Sequence, residues 1–335
     1  MTRSLIILPD DSAQPVIDAI NSSTRSVRIK MFAFSHQPLL DAVVSAHRRG
    51  VEVKVMLNPE RRDGETDNDA ARDMLQKFGI DVRASNPAFD LTHEKSMVVD
   101  HEHAFIESLN WTDENFTETR DYAVVTPSAK EITEIVDCFD ADWHREEFDP
   151  GGGAHLIWCP TNGRHRMADF IDSAEHTLFV QNERYQDPVI IERLVRAARR
   201  GVKVHVMARA AHHLKSNKLL EGVSGLRILD DVGIKIHRLK HLKLHAKMIL
   251  ADNDRAIVGS INFSPGSFDH RRELAIEARD HHIMKRLNEV AHHDWKHSEP
   301  MDLSDDGLLS DLSRRDHYEV DQLALHHDGH EVGDE

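Results

Sequence analysis

Cysteine is nearly absent from this chain of 335 residues, with Cys138 and Cys159 as the only two. Two thiols cannot build the framework of bridges that staples small secreted domains, so they read as reduced thiols of a cytoplasmic protein, although one bridge stays open to them. Long apolar runs are missing as well. The run from Ser4 to Leu8, between Arg3 and Pro9-Asp10-Asp11, is too short for a signal-peptide core. Nothing approaches the ~20 apolar residues of a membrane span, so a lipid substrate would be met from the aqueous side. Aromatic residues make up only 6% of the chain, which leaves little material for base-stacking platforms. Positive charge is in deficit too, the formal net charge being −16. From Glu299 onward twelve acidic residues face only Arg314 and Arg315, so that −12 + 2 = −10 belongs to the end of the chain and −6 to the body. Such a body is a poor coat for long nucleic acid, yet one local basic groove could still hold a phosphate.

What the chain does have is a long internal repeat. Ser26 to Phe32 has strand character and precedes a helical pattern carrying Leu39, Leu40, Val43 and Val44. Arg48-Arg49-Gly50 closes that helix, with Gly50 as its C-terminal stop, and Val51, Val53, Val55 and Leu57 alternate as a strand. The same order returns 151 residues later: Leu178-Phe179-Val180, then Ile190, Ile191, Leu194 and Val195, then Arg199-Arg200-Gly201, then Val202, Val204 and Val206. Each half ends in an amphipathic helix, with Ile132, Ile135, Val136, Phe139 and Trp143 on one stripe and Ile283, Leu287, Val290, Ala291 and Trp295 on the other. Both stripes read as core packing.

The expected fold class is therefore α/β, with two lobes built of mixed or largely parallel sheets flanked by helices and followed by an acidic C-terminal tail. The expected boundaries are 1–148 for the first lobe, 149–153 for a Gly-rich linker, 154–298 for the second lobe and 299–335 for the tail. The tail reads as mostly disordered, with room for one docking helix.

Within the repeat lie two chemical constellations. The first is His93-Glu94-Lys95 with Asp100, then Ser108 and Asn110; the second is His245-Ala246-Lys247 with Asp252, then Ser260 and Asn262, every position being offset by 152. One H-x-K-x4-D would be weak, but two, with Ser and Asn at matching offsets, are not. If Thr92 to Val99 and Leu244 to Leu250 are strands, each His and Lys project from one face. A phosphodiester there meets an imidazole and an ammonium from each lobe, with Asn110 and Asn262 as neutral donors, where a pentacovalent phosphorus gains negative charge. One imidazole can attack phosphorus while the other protonates the leaving oxygen and then activates the incoming water or alcohol. An attacking His needs its other ring nitrogen held, usually by a carboxylate. Asp121 and Glu273 each lie 28 residues beyond a motif histidine (121 − 93 and 273 − 245) and are the candidates.

Both motifs, and Gly259-Ser260-Ile261-Asn262 after the second, resemble the signature of the phospholipase D superfamily over about residues 14–298. The resemblance implies two lobes related by a pseudo-twofold axis, a phosphohistidine intermediate, and no required metal or other cofactor. It implies that Lys95, Asn110, Lys247 and Asn262, with Ser108 and Ser260, bind phosphate, that Asp100 and Asp252 complete the catalytic motifs mainly as structural supports, and that His93 attacks while His245 serves as the acid. Glu107 departs from it, standing where the family has Gly, and there it would narrow or repel the first phosphate half-site.

The favoured substrate is a phospholipid, cleaved or transferred during peripheral contact with a membrane, because Gly259 to Pro265 resembles the second motif of cardiolipin synthases. The alternative is nucleic acid, since Ser108-Leu109-Asn110-Trp111-Thr112 resembles small nucleases of the superfamily and Trp111 or Tyr122 could stack on a base. An inactive phosphate-binding scaffold is a third reading, suggested only by Glu107. The pairs His212-His213, His281-His282 and His292-His293 read by default as surface histidines, with metal binding the lesser alternative, because neighbouring residues do not share a helix face. His237 to Leu244 reads either as a basic approach to the site or as a plain solvated strand edge, and Arg61 to Asp69 as a solvated loop that could also gate the cleft.

Overall fold

The computed structural model describes residues 2–59, 68–150, 153, 155–210, 219–311 and 313. The first lobe opens with β1 (Ser4–Leu8), α1 (Gln14–Ser22), β2 (Ser26–Met31), α2 (Gln37–Arg48) and β3 (Glu52–Leu57). It continues with α3 (Asp69–Lys77), β4 (Asp81–Ala84), β5 (Leu91–Thr92), β6 (Ser96–Val99) and β7 (His103–Glu107), and closes with α4 (Asp113–Thr117), β8 (Thr119–Thr126) and α5 (Ala129–His144). The second lobe repeats this order with β9 (Leu156–Cys159), α6 (Gly163–Asp172), β10 (Thr177–Gln181), α7 (Pro188–Arg199), β11 (Lys203–Met207), α8 (Leu219–Asp231) and β12 (Lys235–Leu239). Its remaining elements are β13 (Lys243–Leu244), β14 (Met248–Ala251), β15 (Arg255–Gly259), α9 (Pro265–Asp269), β16 (Arg271–Ala278), α10 (His281–Lys296) and β17 (Ser298–Pro300).

The expected helices and strands form where their periodicity places them. In α2 a proline in the first turn starts the helix, Leu39, Leu40, Val43 and Val44 are buried, and Gly50 leaves it at φ +89°; Gly201 does the same after α7 at φ +93°. Both sheets are mixed. The first runs β1-β8-β7-β6-β2-β3-β4, with β2, β3 and β4 parallel and the rest antiparallel. The second runs β17-β12-β11-β10-β14-β15-β16 on the same plan. One apolar core lies in each lobe, and a third, formed by residues such as Ile106, Val124, Ile135, Met248, Val258 and Leu287, is shared between them.

The lobes are laced together by an exchange of short strands. β5 pairs parallel with β16 of the other lobe, and β13 pairs parallel with β8. This exchange overturns one expectation, that Thr92 to Val99 and Leu244 to Leu250 are unbroken strands. Each motif instead spans a break, β5 to β6 and β13 to β14, where the chain passes from the sheet of one lobe to that of the other.

Two buried arginines lock the seam in the same crossed manner. Arg120 of β8 makes a bidentate pair with Asp294 of α10, both contacts at 2.9 Å, and Arg272 of β16 makes one with Asp142 of α5, both at 3.1 Å. Past Pro300 the described chain stays with the second lobe. β17 extends its sheet from β12, Leu303 enters its core, and a helical turn at 305–311 brings Asp311 to 2.6 Å from Arg238. The expected disorder of residues 314–335, and the expected loop at 61–67, lie outside the described residues.

Candidate active site

The exchanged strands carry the motifs into contact with the opposite lobe. The amides of His93 and Glu94 both donate to the carbonyl of Arg272 at 2.9 Å, and those of His245 and Ala246 donate to the carbonyl of Arg120 at 3.3 and 2.9 Å. Each imidazole is thereby set beside the acid that follows that arginine. His93 Nδ1 lies 2.9 Å from Glu273, and His245 Nδ1 lies 2.9 and 3.1 Å from the two oxygens of Asp121. Both acids marked by the equal spacing of 28 residues lie beside a motif histidine, but each meets the histidine of the other lobe. The ring nitrogen facing the carboxylate is Nδ1 in both, so Nε2 is the atom left for chemistry.

Asp121 is fully buried and accepts hydrogen bonds from Ser108 Oγ at 2.5 Å, Thr119 Oγ1 at 2.6 Å and Asn115 Nδ2 at 3.0 Å. Burial alone would push this carboxyl up, but the His245 charge beside it and the Lys247 ammonium carry it down to about 2. Glu273 is buried as deeply, and burial holds it above the usual carboxylate range against the pull of Lys95, Arg271 and the hydroxyls of Ser260 and Ser267. Ser108 and Ser260, expected at the phosphate, sit behind the site. Ser108 gives its proton to Asp121 and accepts from Tyr122 N, and Ser260 is bonded to the backbone of Leu274. The side-chain oxygens of Asn110 and Asn262 are buried with no hydrogen-bond partner among the described residues.

Lys95 and Lys247 are each tied to the carbonyl of the histidine two residues before, Lys95 at 2.7 Å. Burial depresses the basicity of both, and each ammonium further lowers or is lowered by its neighbours: Lys95 by Lys247, and His93 by Lys95, Lys247, Arg271 and His245. Four basic side chains therefore converge closely enough to feel one another in a poorly solvated place. Such a cluster can take up an anion, and a phosphodiester is an anion of the kind it could hold.

Other expected participants are placed elsewhere. The carboxylate of Asp100, at the far end of β6 from the histidine, accepts from the amides of Thr24, Arg25 and Ser26, and that of Asp252 accepts from the amides of Glu175, His176 and Thr177. Both residues hold the turn before a central strand, so they are not beside the reacting groups. Glu107 is wholly buried and accepts a hydrogen bond from the Trp111 indole at 2.8 Å, while its carboxyl still feels Lys95 and Asp121. Gly259, its counterpart, has no room for a side chain, since a Cβ there would lie 2.4 Å from Ala275 Cα. Trp111 and Tyr122 are fully buried, the latter bonded to Gln181, and neither offers a face to a base. The segment from His237 is not an open strand edge, because β12 is paired on both sides. Two of its charges are matched: Arg238 pairs with Glu299 and Asp311, and Lys243 with Glu114 and Glu118.

Sequence reasoning missed Glu183, Arg209, Asn115 and the separate part played by Arg271. Their signal was available as breaks in the repeat, Glu183 standing opposite Phe32 and Arg209 opposite Asn58 at an offset of 151. Among the described residues one group, Glu94, Cys138 and Asp142, gathers three potential metal-ligand atoms within 4.8 Å. The Lys30 ammonium already stands among them, 3.0 Å from Glu94 and 2.8 Å from Asp142, and serves as their cation.

The arrangement of two interlocked lobes around paired His-Lys motifs defines a phospholipase D-type fold, a class of phosphodiesterases and phosphatidyltransferases. The chain belongs to the family described as cardiolipin synthase, PLD-like domain, which it matches twice, over residues 16–143 and 167–295. It is 29% identical over 141 residues to the mitochondrial cardiolipin hydrolase of Mus musculus, covering 42% of this chain and 61% of that one. It is 24% identical over 297 residues to cardiolipin synthase B of Escherichia coli K12, covering 74% of this chain and 68% of that one. Among solved structures, phosphatidylserine synthase of Haemophilus influenzae shares the fold with a TM-score of 0.72 at 10% identity, over 96% of this chain and 94% of that one. No helix among the described residues is long and apolar enough to cross a membrane.

Proposed function

We propose that the protein cleaves or transfers phosphodiesters of phospholipids through a phosphohistidine on His93, with His245 as general acid and then general base. The observation that carries this is the crossed pair of imidazole and carboxylate, each lobe supplying the acid that orients the other lobe's histidine. In the first step His93 Nε2 attacks phosphorus, the bond to the leaving oxygen breaks, and that oxygen takes the proton of His245 Nε2. In the second, His245 removes a proton from water or an alcohol, whose oxygen attacks phosphorus and releases His93. Lys95, Lys247 and the amides of Asn110 and Asn262 hold the non-bridging oxygens, where the charge grows.

The surroundings support this division of labour. His93 is held well below ordinary imidazole basicity by burial and by the nearby cations, which keeps it neutral and nucleophilic. Burial lowers His245 too, but the ionised Asp121 and Glu183 pull it part of the way back, so it holds a proton more readily than His93. A lipid substrate is supported by the family match and by relatives named for cardiolipin. Burial of Trp111 and Tyr122 removes the stacking surface a nuclease would use.

Purified protein offered a panel of phospholipids and of single- and double-stranded nucleic acids should turn over the lipids. Turnover confined to nucleic acid would overturn the substrate. Quenching the reaction with a nitrophenyl ester and mapping the acid-labile adduct by mass spectrometry should place it on His93, absent from His93→Ala and accumulated in His245→Ala. An adduct on His245 would reverse the assignment.

A further inference from the structure

The paired motifs are so alike that they do not themselves say which histidine attacks. His93 and His245, Lys95 and Lys247, Asn110 and Asn262 are exchanged by one offset of 152 residues. Several charged neighbours are not exchanged, and two of them, Glu183 and Arg271, act directly on the histidines. Phe32, just after β2, stands edge-on to His93 with 4.9 Å between ring centres and lies 5.0 Å from the Lys95 ammonium. The matching place after β10 (183 − 32 = 151) holds Glu183, whose carboxylate is 2.9 Å from Arg209 and 3.8 Å from Lys247 Nζ. At the head of β16 stands buried Arg271, where the head of β8 (271 − 119 = 152) has Thr119.

Building on the phosphohistidine reading above, we propose that Glu183 and Arg271 are positioning residues that divide the roles between two otherwise equivalent histidines, Glu183 keeping His245 ready to donate a proton and Arg271 keeping His93 free to attack. An opposite charge nearby favours the charged form of an imidazole and a like charge disfavours it. His245 is faced by Asp121 from β8, by Glu183 from the end of β10, by Glu114 and the neutral Asn115 of α4, and by Lys247 of its own loop. Carboxylates dominate that list. His93 is faced by one carboxylate, Glu273, and by four cationic or basic groups, Lys95, Lys247, Arg271 and His245. Glu183 is held well below the usual carboxylate range, burial opposing but Arg209, Lys247 and His245 prevailing, so its charge is present throughout the working pH range.

The test is the pH dependence of kcat/KM for Glu183→Gln and Arg271→Thr, on one phosphodiester with an alkyl leaving group and one with nitrophenolate. Loss of Glu183 should let His245 deprotonate earlier, moving the high-pH limb to lower pH on the alkyl ester and leaving the nitrophenyl ester nearly unaffected; Glu183→Asp should restore it. Loss of Arg271 should let His93 protonate earlier, moving the low-pH limb to higher pH on both esters. Arg271→Gln replaces Arg271→Thr should the latter not fold, and NMR titration of labelled histidines reads the same displacements without turnover. A fall in rate at every pH with both limbs in place would mean that these residues only hold the fold, and the inference fails. The outcomes are separable, since absence of an adduct on either histidine overturns the phosphohistidine reading, whereas an adduct on His93 with unmoved limbs overturns this inference alone.

Discussion

Asp121 belongs to the lobe of His93 but touches His245, so Asp121→Asn should behave as a lesion of the acid and not of the nucleophile. The size of the effect can be worked from the buried carboxyl itself. A shift from 3.8 to about 2 corresponds to about 2 kcal/mol in favour of the ionised form, to which His245, Lys247 and Ser108 contribute. His245 contributes most among the groups that hold this carboxyl down, so its protonated form loses that support in the variant, and loss of the ring's orientation adds to this. General acid catalysis is typically worth about 10²–10⁴-fold, so turnover of an alkyl phosphodiester should drop by about 10²-fold or more. A nitrophenyl ester, whose leaving group needs little protonation, should lose less than about 10-fold. Glu273→Gln should do the converse, slowing phosphoenzyme formation on both esters alike. Burst kinetics on the two esters, with Tm recorded for each variant, read this directly. Should Asp121→Asn slow both esters equally while Glu273→Gln spares the nitrophenyl ester, the crossed assignment is wrong.

Activity should survive EDTA, because two lysines and two imidazoles converge where charge develops; loss on chelation with recovery on adding a divalent ion would refute this. Glu107, pushed up to about 8 by burial, should be protonated at neutral pH in the folded protein. Since its folded value exceeds the ordinary 4.5, the unfolded chain releases that proton first, and stability should fall as pH rises from about 4.5 to about 8. Glu107→Gln, still able to accept from Trp111, should therefore gain up to about 3 kcal/mol over the wild type at pH 7 and little at pH 4.5 in urea unfolding; an equal difference at both would refute it. Truncation after Ser313 should leave activity unchanged, since every paired motif residue precedes it. Truncation after Pro300 should lower Tm, because burial of Leu303 alone is worth about 1.5–3 kcal/mol and the ion pair of Arg238 with Asp311 goes with it.

The sequence by itself determined the repeat, the mixed α/β class and the candidate reacting groups, because these are local or periodic properties. Leu39, Leu40, Val43 and Val44 mark a helix face whatever the helix packs on, and two H-x-K segments at one offset announce a shared chemistry. It also picked Asp121 and Glu273 from many acids, through spacing alone. Tertiary structure decided which histidine each acid serves. An offset of 28 is the same whether the acid folds back on its own lobe or reaches the other, and only the parallel pairing of β5 with β16 and of β13 with β8 makes the connection cross. Burial had the same kind of authority. Trp111, Tyr122 and Glu107 look available in the sequence, but the side on which a strand residue projects depends on what covers the sheet, and here it is core. Asp100 and Asp252 share the motif's spacing with the histidines and yet cap turns at the far ends of β6 and β14, because one short strand is enough to carry them out of reach. The asymmetry of Glu183 and Arg271 was written in the sequence as two broken correspondences, and it acquired meaning only when folding set both charges beside the imidazoles.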